Sequence, residues 1–213
     1  MRVLIFGDSV AQGYYDLESG GWVNLLFVEN MKHKARRTDN PREIFNMAIS
    51  GDTTRRVINR LKTDVDARKW EDEPIVLVFA VGVNDAMVSN GQPISSPEQY
   101  YADLEELYAL AEPIAQHIVF VGLESVYEAE SNPWAFNSGS DAECWTNERI
   151  DQFDAVLKDF AAAKQAVFAP VFDVFSAAQA QGMLLHEDGL HPNAAGHRLI
   201  FEQVRPILDN LSA

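Results

Sequence analysis

The chain is poor in cysteine. Cys144 stands alone among 213 residues, so no internal disulfide can form and a packed core must carry the fold. A lone thiol also fits a reducing compartment. Basic side chains are scarce, 17 Lys and Arg against 32 Asp and Glu, and the resulting net charge of −15 repels polyanions. Nucleic acid and anionic membrane surfaces are therefore not expected as partners. Long apolar runs are missing too: no stretch approaches the ~18 apolar residues of a membrane span, so no integral membrane segment is expected. Met1-Arg2 leads into an apolar run of about four residues, short of the roughly 7–15 of an export signal. The expectation is a cytoplasmic protein. Repeats, low-complexity tracts and linkers are lacking as well. At 47% apolar, the sequence supplies a full core for one domain spanning residues 1–213.

What the chain does contain is a set of short, continuous apolar runs: Val3–Phe6, Ile44–Met47, Ile75–Val81, Ile118–Gly122 and Ala166–Val171. Hydrophobicity that is continuous rather than alternating marks strands covered on both faces. Helical patterns fill the gaps. Trp22–Met31 is the first and Arg55–Val65 the second, with Asp52, Thr53 and Thr54 all suited to cap the latter. The third, Pro97–Ala111, has Ser96 as N-cap, Pro97 at the first helical position and Gln99 completing a capping box. The fourth follows Thr146, with Ile150, Phe153, Leu157 and Phe160 at helical spacing. The last starts at Pro192 and carries Leu199, Ile200, Val204, Ile207 and Leu208, with Pro206 expected to kink or shorten its final turn. The alternation predicts an α/β fold, a parallel sheet with helices on both sides. In such sheets the ligand site lies beyond the carboxyl ends of the strands.

Polar segments stand at those strand ends. Gly7-Asp8-Ser9 follows the first run, Asn46 to Asp52 closes the second, and Gly82-Val83-Asn84-Asp85 closes the third. Asp188-Gly189-Leu190-His191 precedes the final helix. Each is a common turn sequence by itself. Four in this order, converging on one sheet edge, resemble the conserved blocks of the SGNH, or GDSL, hydrolases from residue 7 to residue 197. The resemblance implies a three-layer α/β/α sandwich with a flavodoxin-like five-stranded parallel sheet in order 2-1-3-4-5. It also implies hydrolysis of carboxylic esters or thioesters, with deacetylation of sugars in some members, and no cofactor. Carried over by position, Ser9 is the nucleophile, His191 the base and Asp188 its orienting carboxylate. Ser9, Gly51 and Asn84 form the oxyanion hole. Ala48 departs from the family pattern, which often has Gly there, and leaves Gly51 intact.

Elementary chemistry agrees with these roles. A serine hydroxyl needs an adjacent base to attack at neutral pH. Histidine, with an unperturbed pKa of ~6.5, is mostly neutral there. Asp188 lies three residues from His191 on a segment that Gly189 can turn sharply, so it can accept the Nδ1–H and leave Nε2 facing Ser9. Charge developing on an attacked carbonyl oxygen would meet the N–H groups of Ser9 and Gly51 and the Asn84 amide.

The remaining polar residues have plainer uses. Asp8 and Asp85 are read as turn and network residues that fix neighbouring loops. Acids after the first and third strands also resemble a phosphoacceptor receiver domain, but the lysine such a domain needs after its fifth strand is replaced by Ala169-Pro170-Val171-Phe172-Asp173. His186, Asp188 and His191 could be taken for metal ligands; with a serine opposite, no metal is expected. The long irregular stretch Glu124–Trp145 carries Tyr127, Trp134, Phe136 and Trp145. With Tyr14 these are the candidate substrate contacts. The stretch would act as a lid, as a contact surface in a homo-oligomer, or as a segment its aromatics anchor to the body. The reading is thus a hydrolase of a small-molecule ester or thioester. Two alternatives use the same scaffold: an acyltransferase with the same triad, and a non-catalytic flavodoxin-like module binding a small molecule or carbohydrate. Against flavin, the first strand-end loop lacks a Ser/Thr-rich phosphate cradle and Asp8 would repel a phosphate.

Overall fold

The computed structural model describes residues 1–35, 42–134 and 142–211. Its elements in chain order are β1 (Arg2–Gly7), α1 (Ser9–Gln12), α2 (Trp22–Ala35), β2 (Glu43–Asn46), α3 (Thr54–Asp66), β3 (Ile75–Ala80), β4 (Val88–Ser89) and β5 (Gln92–Pro93). There follow α4 (Pro97–Ala111), β6 (His117–Val121), α5 (Glu128–Ser131), β7 (Glu143–Cys144), α6 (Asn147–Ala163), β8 (Val167–Ala169), α7 (Phe172–Ala180) and α8 (Ala194–Asn210). Strands β2-β1-β3-β6-β8 form one parallel sheet. Counted among these five, the order is the expected 2-1-3-4-5.

The continuous apolar runs are double-sided, as their pattern requires. Leu4 and Phe6, Leu77 and Phe79, and Phe120 point to one face and pack under α3, α4 and α6. Val3 and Ile5, Val76 and Val78, and Val119 and Val121 point to the other, under α2, α7 and α8. The first face is aromatic: Phe6, Phe79 and Phe120 line up across three strands with centroids 5.9 and 5.7 Å apart, and Phe160 of α6 meets Phe120 edge-on at 5.7 Å. The second face is mostly branched aliphatic, which suits a flat, close helix contact.

The expected caps hold at α4 and α6. Ser96 Oγ accepts from Gln99 N at 3.2 Å and Thr146 Oγ1 from Arg149 N at 3.4 Å, as the sequence predicts. The final helix starts at Ala194 rather than Pro192, because Asn193 Oδ1 accepts from the N–H groups of Ala195 and Gly196. It also runs through Pro206 to Asn210, not stopping at the proline. The periodicity argument misses α7, a nine-residue helix, the four-residue helices α1 and α5, and a small antiparallel sheet β5-β4-β7 built from two-residue strands. All are too short to show a clear period. The sheet gives structure to the stretch read as irregular, since β7 lies within Glu124–Trp145 and pairs Cys144 with Val88. Among the described residues, no helix is long and apolar enough to cross a membrane.

Candidate active site

The parallel sheet delivers its strand-end segments to one edge, where Ser9, Asp188 and His191 meet. Ser9 opens the short helix α1, which Asp8 caps by accepting the Val10 N–H at 3.0 Å. His191 Nε2 lies 2.9 Å from Ser9 Oγ, and His191 Nδ1 lies 2.7 Å from Asp188 Oδ2. The other carboxylate oxygen, Asp188 Oδ1, accepts from the backbone of Leu190 at 3.0 Å and His191 at 2.7 Å. Four residues thus close on themselves around one carboxylate, which fixes the imidazole with Nε2 toward the serine. Gly189, at φ +85°, permits the turn. All three side chains are buried. Burial alone would raise the Asp188 carboxyl, but the imidazole and the two N–H groups outweigh it and hold its pKa below the usual carboxylate value.

The loop after β2 is stitched to the serine turn. Ile49 N donates to Gly7 O at 3.0 Å, Ser50 N to Gln12 Oε1 at 2.9 Å, and Asn46 Nδ2 to Ala11 O at 2.9 Å. Asn84 Nδ2 donates to Asp52 O at 3.0 Å, so the loop after β3 holds the loop after β2. One amide hydrogen serves that bond, and no partner is found for the second among the described residues. Gly51 adopts φ +78°, and a Cβ there would meet nothing nearer than Arg56 Nη1 at 4.0 Å. The glycine is thus required by its backbone conformation rather than by close approach of another segment.

Asp85 is the network residue the sequence suggests, with a specific task. Its carboxylate accepts from Thr54 N at 3.0 Å and Thr54 Oγ1 at 3.2 Å, capping α3 from the neighbouring loop. Thr53, the residue before the helix, makes no side-chain cap. Burial pushes Asp85 up to about 6 against the pull of the Thr54 donors.

The aromatic candidates divide. Tyr14 and Trp134 stand against the His191 ring with centroids 5.7 and 5.8 Å away. Tyr15, at 5.2 Å and edge-on, joins them. The two tyrosines are carried there by a crossing of backbones: a Cβ on Gly21 would lie 2.4 Å from Gly13 Cα, so only glycines let these segments touch. Trp145 is different. It is buried, donates its indole N–H to Val83 O at 3.1 Å and packs edge-on under Trp134, so it anchors the segment and offers no surface to a ligand. Tyr127 lies on the far side of the 186–191 loop, its N–H on Gly189 O at 2.8 Å. Phe136 lies outside the described residues. Trp134 N to Glu143 O, Trp145 N to Ser131 O and Ser131 Oγ to Trp145 O tie the two described ends of the segment to each other.

Two grooves flank the 186–193 loop. One of about 480 Å³ is lined by Tyr15, Leu17, Glu18, Glu187 and Asn193. The other, about 600 Å³, is lined by Tyr127, Gln179, Met183, Leu184 and His186. His186 is held neutral by burial, which pushes it down to about 4. Among the described residues, no group of three or more His, Cys, Asp or Glu side chains could hold a metal. The residues that sequence reasoning passed over are Gln12, which positions Ser50, and Glu124, a buried acid just after β6 that had no motif to mark it.

A parallel five-stranded sheet with these segments at its carboxyl edge is the fold of the SGNH-type ester hydrolases. The chain belongs to the GDSL-like lipase/acylhydrolase family, whose model matches residues 5–199. Solved structures repeat the fold. A lipolytic protein of the G-D-S-L family from Veillonella parvula superposes with TM-score 0.75 at 18% identity, over 99% of this chain and 100% of that one. An acetylxylan esterase from Geobacillus stearothermophilus gives 0.72 at 20% identity, over 99% and 94%. An α/β hydrolase from the metagenome of Lake Arreo, Spain, gives 0.73 at 21%, over 100% and 96%. No match is found among curated proteins.

Proposed function

We propose that this ester hydrolase cleaves carboxylic esters or thioesters through an acyl-enzyme on Ser9. The observation that carries the reading is the hydrogen-bonded line from Ser9 Oγ through His191 to Asp188, at 2.9 and 2.7 Å. His191 takes the serine proton as Oγ attacks the acyl carbon and returns it to the leaving alcohol or thiol. The same imidazole then removes a proton from water, which releases the acid and restores Ser9. Asp188 holds the ring and offsets the imidazolium charge. The Ser9 and Gly51 N–H groups and the free Asn84 amide hydrogen stabilise the tetrahedral oxyanion. Tyr14, Tyr15 and Trp134 around His191 support an ester whose leaving group presents an apolar or ring face.

Replacing Ser9 by Ala should abolish turnover of p-nitrophenyl acetate, and an organophosphonate should add to Ser9 in the native chain and not in the variant. Retained turnover, or phosphonylation elsewhere, overturns the assignment.

A further inference from the structure

Behind the serine turn lies a small cavity of about 10 Å³, near the lower bound for a single water. Asp8 enters it from the end of β1 and Glu124 from the segment after β6. The rest of its wall carries no ionisable side chain: Val10, Val121 and Ile200 are apolar, and Trp22 adds an indole ring with one N–H. Both acids are nearly inaccessible, at 2% and 4% exposure. Glu124 Oε1 has no hydrogen-bond partner among the described residues. Among the described residues, no cation lines the cavity. Two ionised carboxylates cannot share so dry a space, so at least one proton must be bound there.

The surroundings decide which group carries it. Asp8 accepts the Val10 N–H and faces His191, both of which favour its charged form, while Asp85 opposes it. Glu124 faces Asp8 and Asp154, both acids, and apart from its own N–H receives no donor. Asp154 accepts from Leu123 N at 2.7 Å, with Asp151, Asp173 and Lys158 around it, and Asp103 lies toward Asp85. Tyr100, near Asp8, Asp85 and Asp154, is committed to Val81 O at 3.1 Å. We infer that Glu124 is a positioning residue: it stays protonated at neutral pH and donates to Asp8, directly or through one water, so that Asp8 keeps its hold on the turn bearing Ser9. Burial pushes Asp8 up to about 7 and Glu124 well above the usual carboxylate range, which agrees. Loss of the proton at alkaline pH would leave two facing negative charges directly behind the serine. The role in turnover rests on the acyl-enzyme reading above; the shared proton does not.

The test compares Glu124→Leu, which keeps bulk without a donor, with Glu124→Gln, which keeps an N–H donor that cannot titrate. Glu124→Leu should lower kcat by about tenfold or more with KM within about twofold, as a misplaced nucleophile does. Glu124→Gln should restore kcat to within about threefold and lack the alkaline fall in kcat expected of the native enzyme. Independently of activity, infrared spectroscopy at about pH 8, above where Asp8, Asp85 and Asp154 hold their protons, should show the C=O stretch of a protonated carboxyl that Glu124→Gln lacks. Native kcat in Glu124→Leu, or an unchanged alkaline limb in Glu124→Gln, overturns the positioning role. Absence of the infrared band from the native protein, or its persistence in Glu124→Gln, overturns the shared proton even if no ester is turned over. Should Glu124→Leu fail to fold, the Gln pH profile and the infrared band still decide.

Discussion

At the scale of single residues, the site depends on one carboxylate with three hydrogen bonds. Asp188 has the imidazole on one oxygen and two N–H groups on the other. An amide in its place would keep the size but present an N–H on one side, turning the imidazole toward the wrong tautomer. Asp188→Asn should therefore lower kcat by about 10³–10⁴-fold while the fold survives. Steady-state kinetics alongside thermal unfolding would check both halves of that expectation. Ser9, Asp188 and His191 were legible in the sequence because their spacing and order carry chemical meaning. Glu124 was not: an isolated acid after an apolar run looks like a solvated loop residue until the sheet places it against Asp8.

At the scale of elements, double-sided apolar runs announced the parallel sheet, and Ser96 and Thr146 announced two helix starts. The cap of α3 could not be read that way. Asp52, Thr53 and Thr54 all look competent, yet Asp85, some thirty positions later, takes both Thr54 donors. Asp52 is occupied by Arg60, 2.9 Å from its carboxylate. Long-range capping leaves no local signal, and the two-residue strands β4, β5 and β7 leave none either. The assignment has a direct check. Asp85→Ala should cost about 1–2 kcal/mol of stability in urea unfolding, whereas Thr53→Ala should stay within about 0.5 kcal/mol. Equal effects would contradict a cap supplied from the neighbouring loop.

At the scale of the whole molecule, buried ionisable groups tie stability to pH in opposite directions. His197, fully buried on α8, is pushed down to about 4 by burial, with His186 alongside at about 4. Below an unfolded value of 6.5 the unfolded chain takes up these protons and the native chain does not, so each histidine costs stability as pH falls from 6.5 toward 4. Asp8, Asp85 and Asp154 act oppositely, because their folded values near 7, 6 and 6 exceed the unfolded 3.8. Their contribution is complete below the unfolded value and is lost as pH rises through the folded ones. The His197 share can be isolated. Going from about pH 7 to about pH 5, the unfolding free energy of His197→Gln should change by about 2 kcal/mol more favourably than that of the native chain, measured from urea curves of both proteins at the two pH values. An unchanged difference would mean that His197 titrates normally in the folded chain.

The contact between Ser9 and His191 joins positions 182 residues apart. Almost every strand and helix lies between them in sequence, so Ser9 meets His191 only after the sheet has assembled and the segment before α8 has docked on its edge. On the proposed reading, reactivity toward an organophosphonate is a folding clock. During refolding, covalent labelling should lag behind the recovery of helical circular dichroism, because helices form from local contacts whereas this site needs a contact spanning nearly the whole chain.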